Sequence, residues 1–133
     1  MKGRLVFSVL VALSIGCDPR PHLRSAKALS TESATWHGGA WDGRTGTAVT
    51  IQFKDGTEQF SRAEEVTFTF GPLKNGGYWS VADFTVPVMK REPHALTLFF
   101  QNDETALRAL EELPHQIEAG TLAVIPCIPD RIC

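Results

Sequence analysis

None of the common catalytic or metal-binding signatures occurs in this chain. Its four histidines, His22, His37, His94 and His115, are scattered, with no H-x-H, no H-E-x-x-H and no Cys/His cluster of the kind that holds a transition metal. Ser61 and Ser80 lack the G-x-S-x-G turn of a nucleophile elbow. Gly38-Gly39 and Gly76-Gly77 are turn glycines with no phosphate loop around them. The adjacent carboxylates Glu64-Glu65 and Glu111-Glu112 read as solvated edges rather than acid/base pairs. No catalytic residue, metal site or cofactor is therefore expected, and an enzyme is the less favoured class. Positive charge is also lacking: 13 Lys plus Arg stand against 15 Asp plus Glu, where a nucleic-acid binder needs a basic patch or stripe. There is no internal repeat, and no apolar run of the roughly 20 residues that a bilayer-spanning helix requires.

What is present begins at the N-terminus. Lys2 and Arg4 precede a run of mostly apolar residues from Leu5 to Gly16, followed by Cys17. A charged start, a short apolar stretch and a small-residue boundary make a secretory signal. Residues 1–16 are thus expected to be a signal peptide and the protein to be exported. The boundary L-S-I-G-C, Leu13 to Cys17, resembles the lipobox of bacterial lipoproteins. That resemblance implies a lipid on Cys17 and a membrane anchor in the cell envelope. Gly16 supplies the small residue before the cysteine, whereas Ser14 stands where the family usually has leucine. Ordinary cleavage, freeing a soluble periplasmic or secreted domain, is the alternative. Asp18 resembles the inner-membrane retention signal of enteric lipoproteins.

Without residues 1–16 the chain has 117 residues, eleven basic and fifteen acidic, a net charge of −4. That length is one domain, and 43% hydrophobic residues suffice for a core. If Cys17 takes a lipid, Cys127 and Cys133 remain as a pair, and exported proteins live where disulfides persist. Pro129 and Asp130 between them suit a chain reversal. The spacing favours a structural staple over a redox pair, which typically reads C-x-x-C. Residues 17–34 are polar, with two prolines and no sustained period, and read as a flexible tether. The globular domain is expected over 35–133.

There the dominant period is two. Val49, Ile51 and Phe53 share one face of a segment, as do Val66, Phe68 and Phe70, and Tyr78, Ala82, Phe84, Val86 and Val88. Residues 95–100 and 121–125 are shorter apolar candidates. Such alternation marks half-buried strands, and the Thr, Val and Phe content agrees. Asp55-Gly56 predicts a hairpin with Ile51 opposite Phe60. Asn75-Gly76-Gly77 predicts a second, with a three-residue loop setting Val66 opposite Val86, Phe68 opposite Phe84 and Phe70 opposite Ala82. A one-residue slip would bury the wrong face. Asn102 or Asp103 can cap a helix over 103–113, with Leu107, Leu110 and Leu113 on one side and Pro114 as its stop. The expected fold is mainly β: an antiparallel sheet of five or six strands, forming a sandwich or small barrel, with one short helix.

One segment could carry recognition. Residues 35–46, T-W-H-G-G-A-W-D-G-R-T-G, set Trp36, His37, Trp41, Asp42 and Arg44 among four glycines. Read as a rim loop, its indoles stack on a flat ligand such as a sugar while His37, Asp42 and Arg44 hydrogen-bond it. Read structurally, one tryptophan enters the core and the glycines are turns. Two functions follow. The first is a non-catalytic envelope module, anchored in the membrane, that binds another envelope protein or a glycan. The second is a small carbohydrate-binding or hydrolytic domain using Trp36–Arg44. Fold alone does not rank them.

Overall fold

The computed structural model describes residues 22–81 and 84–127. Residues 1–16, Cys17, Ala82 and Cys133 lie outside the described residues, so the expected signal peptide and lipid site, the expected Phe70–Ala82 pairing and half of the expected C-terminal cysteine pair lie there too.

Alternation produces strands around residues 49–53 and 66–68, but of the described residues in the alternating segment 78–88 only those from Thr85 on are strand. The strands are β1 (Ala26–Thr35), β2 (Thr45–Phe53), β3 (Glu65–Thr69), β4 (Thr85–Glu92), β5 (Ala95–Gln101) and β6 (Ala123–Cys127), with α1 (Glu104–Ala119) between the last two. They form one antiparallel sheet in the order β1-β2-β5-β4-β3-β6. The mainly-β fold with one helix is what this sequence makes. The sheet is open but strongly curled. Leu23, just ahead of edge strand β1, exchanges two 2.9 Å backbone hydrogen bonds with Val124 of the opposite edge strand β6.

The concave face is the core. Val49 faces Leu98 and Ile51 faces Leu96 across β2 and β5, and these join Phe53, Phe100, Val66, Phe68, Val86, Val88 and Val124 in one buried cluster. Each such side chain contributes roughly 1.5–3 kcal/mol by leaving water. Helix α1 packs against β1 and β5 and adds Ala106, Ala109 and Leu113 to the cluster. Its start follows the sequence: the Asp103 side chain accepts a 2.8 Å bond from the Ala106 N–H, satisfying an orphan donor of the first turn.

Four expectations are corrected. Residues 26–34, assigned to the tether, belong to β1 and pair with β2 along its length, so the ordered domain begins well before Thr35. An edge strand with a largely solvated surface has no need of apolar alternation, and its Ser, Thr and Glu residues hid it. Second, Asp55-Gly56 does not turn a hairpin. Ile51 lies between Leu29 and Leu96, and Phe60 reaches the core from a short 3-10 turn, Glu58–Phe60. The Thr57 hydroxyl donates to the Glu92 carbonyl at 2.5 Å and its N–H to Pro93 at 3.0 Å, steering the chain past the β4–β5 turn. Both partners of β2 are chosen by the core rather than by the local turn.

Third, the β3–β4 register is as expected, with Val66 opposite Val86 and the Phe68 and Phe84 rings 6.4 Å apart. However, the strands stop at Thr69 and resume at Thr85, leaving a broad connection instead of a three-residue loop. Gln116, fully buried in α1, competes for that backbone. Its Oε1 accepts from the Gly71 N–H at 2.8 Å and the Thr121 hydroxyl at 2.6 Å. Its Nε2 donates to the carbonyls of Gly71 and Pro72. Fourth, α1 runs through Pro114 to Ala119. A mid-helix proline costs about 3 kcal/mol, and Leu113 and the Gln116 bonds on either side of it offset that. Leu107, expected on the apolar face, is 50% exposed.

Candidate functional site

The loop between β1 and β2 is fixed by its own backbone and by the strand beneath it. The Trp36 N–H donates to the Arg44 carbonyl at 2.8 Å, the Gly43 N–H to Trp36 at 2.9 Å and the Arg44 N–H to Trp41 at 3.0 Å. Gly38 and Gly43 sit at φ +92° and +87°, conformations that side chains with a Cβ rarely adopt. Asp42 Oδ1 accepts from the Gly38 N–H at 2.7 Å and closes the turn.

This loop lies on the convex face of the sheet, opposite the core. Trp36 and Trp41, both half-buried, meet edge-to-face with ring centroids 5.9 Å apart. Both rest on Phe99, at 5.4 and 6.3 Å. Phe99 is itself fully buried although it points away from the core. Gly46 makes this possible, because a Cβ there would strike the Phe100 carbonyl and press on the Phe99 ring. Arg44 secures the far side of Trp41: its guanidinium stands 5.4 Å from the indole centroid and donates to Gln101 Oε1 at 3.0 Å.

Between this loop and the start of β3 opens a cleft of about 440 Å³. Trp36, Ala40 and Trp41 form one wall; Glu64, Glu65, Pro87 and Arg91 form the other. Surface depressions of similar size occur beside Lys27 and Pro114 and beside Thr57 and Pro93, but neither has an aromatic wall. Arg91 is anchored to the opposite wall by hydrogen bonds from Nε to the Phe60 carbonyl, at 2.9 Å, and from Nη2 to the Ala63 carbonyl. It thereby fixes the corner that carries Glu64 and Glu65. Both carboxylates are exposed, and among the described residues neither has a salt-bridge partner.

Of the five residues singled out in the sequence, Trp36 and Trp41 reach the cleft. Asp42 and Arg44 hold the loop, and His37 is exposed and does not line it. They form no acid/base constellation. The second wall comes from residues more than twenty positions further on, brought there by sheet pairing. The only local trace of it was the Glu64-Glu65 pair. A second aromatic group, Phe68, Phe70, Trp79, Phe84 and Phe100, packs on the core side, while neighbouring Tyr78 is 77% exposed. Among the described residues there is no cluster of His, Cys, Asp and Glu that could hold a metal, and no helix long and apolar enough to cross a membrane. Compared with protein-family models, curated proteins and solved structures, the chain matches none of them.

Proposed function

We propose that this is an exported, lipid-anchored cell-envelope protein acting as a non-catalytic binding module, with the tryptophan cleft presented to another envelope protein. The observation that carries the binding part is the indole pair. It is supported from below by Phe99, held from the side by Arg44, and open where it faces the cleft. A rigid aromatic wall beside polar groups is the usual make-up of a recognition site. Export and anchoring rest on residues 1–17. They imply a close attachment, since Cys17 to Leu23 is six residue steps and extends at most about 20 Å. From there the ten residues of β1, about 33 Å at strand rise, lead to the cleft loop, so the anchor and the cleft belong to opposite ends of β1.

A structural disulfide between Cys127 and Cys133 is part of the same proposal. Cys127 ends β6, is buried, lies 3.2 Å from the Thr67 hydroxyl and has a further interaction besides. A staple there would hold the last strand. The carbohydrate-binding alternative draws on the same indoles. Its hydrolytic variant is weaker, because Asp42 is engaged in closing the loop and His37 lies outside the cleft.

A photo-crosslinking residue at Ala40 in living cells tests the module. One discrete adduct, absent when the crosslinker is moved to exposed Lys74, is the expected result. Adducts independent of position, or none at Ala40, would contradict it. Cys17→Ser should shift the protein from the membrane to the soluble fraction; an unmodified Cys17 in the mature protein would remove the anchor. Alkylation of the purified protein should find Cys127 and Cys133 protected until reduction.

A further inference from the structure

The cleft's chemistry also points to the kind of group it takes, given that it is a binding site. We propose that it receives a lysine or arginine side chain from a basic segment of the partner polypeptide. Three of its side-chain N–H sites are engaged. The Trp36 Nε1–H donates to the Gly38 carbonyl at 3.1 Å, and Arg91 turns Nε and Nη2 to the Phe60 and Ala63 carbonyls. The cleft is lined on one side by the Trp36 and Trp41 indoles and on the other by Glu64 and Glu65, whose carboxylates accept hydrogen bonds and do not donate. A neutral sugar presents hydroxyls that both donate and accept. An ammonium or guanidinium group only donates, is attracted to an indole face, and gains from facing carboxylates. Among the lining residues the two glutamates outnumber Arg91, with the Arg44 guanidinium against Trp41 tied to Gln101, on a chain whose mature form carries −4. Aromatic wall and acidic wall together match an aliphatic stem ending in positive charge.

The test is calorimetric titration of the mature exported protein with hexa-arginine peptide, with a chitin hexasaccharide as the neutral counterpart. Saturable binding of the peptide is expected, weakening as salt rises through the screening range. Glu64→Gln with Glu65→Gln should weaken it about tenfold or more, and Trp41→Ala by a similar factor. Glu111→Gln with Glu118→Gln removes the same charge from exposed positions on α1 and should leave binding unchanged. Equal losses in both double variants would make the attraction a property of overall charge and overturn the proposal. So would undiminished binding in the Glu64/Glu65 variant, or no binding of the peptide. If the hexasaccharide binds instead, and Trp41→Ala abolishes it, the basic-ligand inference falls while the binding module stands. Loss of the Ala40 crosslink is the separate result that removes the module itself.

Discussion

On the inner face of the β2–β5 pair, Val49, Ile51, Phe53, Leu96, Leu98 and Phe100 are all 0–1% exposed. On the outer face of the same two strands, Thr50 and Thr97 share a 3.0 Å hydrogen bond, Gln52 is exposed, and apolar burial is confined to Ala48 and Phe99 beneath the two tryptophans. The inner side chains meet residues from β3, β4, β6 and α1, so their contacts are shared by the whole domain. The outer tryptophans meet Phe99, Arg44 and each other, a local set. The two faces therefore divide the labour. The concave side holds the fold together, and the convex patch rests on a fold already complete.

The largest effect that would sharpen this contrast is Phe100→Ala, which should cost about 3–5 kcal/mol in urea unfolding. Against the usual total stability of about 5–15 kcal/mol for a domain, that loss would bring the variant near unfolding. Gln116→Ala comes next. It leaves the Gly71 amide and the Thr121 hydroxyl without their acceptor, at about 2–3 kcal/mol, and faster amide exchange confined to the 70–77 segment would identify the cause. Gly46→Ala should cost about 1–3 kcal/mol by overpacking the strand beneath Phe99, and should also change the tryptophan near-ultraviolet circular dichroism. Glu64→Gln with Glu65→Gln should lie within about 0.5 kcal/mol of the parent. A large loss there would mean that these carboxylates serve the fold rather than a ligand.

How much of this was legible in the sequence follows the same division. The Val66–Val86 register and the contact of the Phe68 and Phe84 rings were readable because both segments alternate and only one register buries every apolar residue. The helix cap was readable to within Asn102 or Asp103, because it depends on a few neighbouring residues, and it is Asp103. β1 was not, since an edge strand with solvated faces carries the composition of a linker. Asp55-Gly56 misled because the local turn preference lost to the core's choice of β1 and β5 as partners for β2. In the candidate site, the tryptophan wall could be named from twelve contiguous residues. The acidic wall could not, because Glu64, Glu65 and Arg91 reach it only through the order of strands in the folded sheet.

The most direct measurement is the unfolding free energy of Trp41→Ala set beside that of Phe100→Ala. A half-buried indole on a local patch should cost no more than about 2 kcal/mol, against about 3–5 for the core phenylalanine, with the urea dependence unchanged. If Trp41→Ala proved as damaging as Phe100→Ala, the convex patch would be part of the core, and the case for a presented binding cleft would be gone.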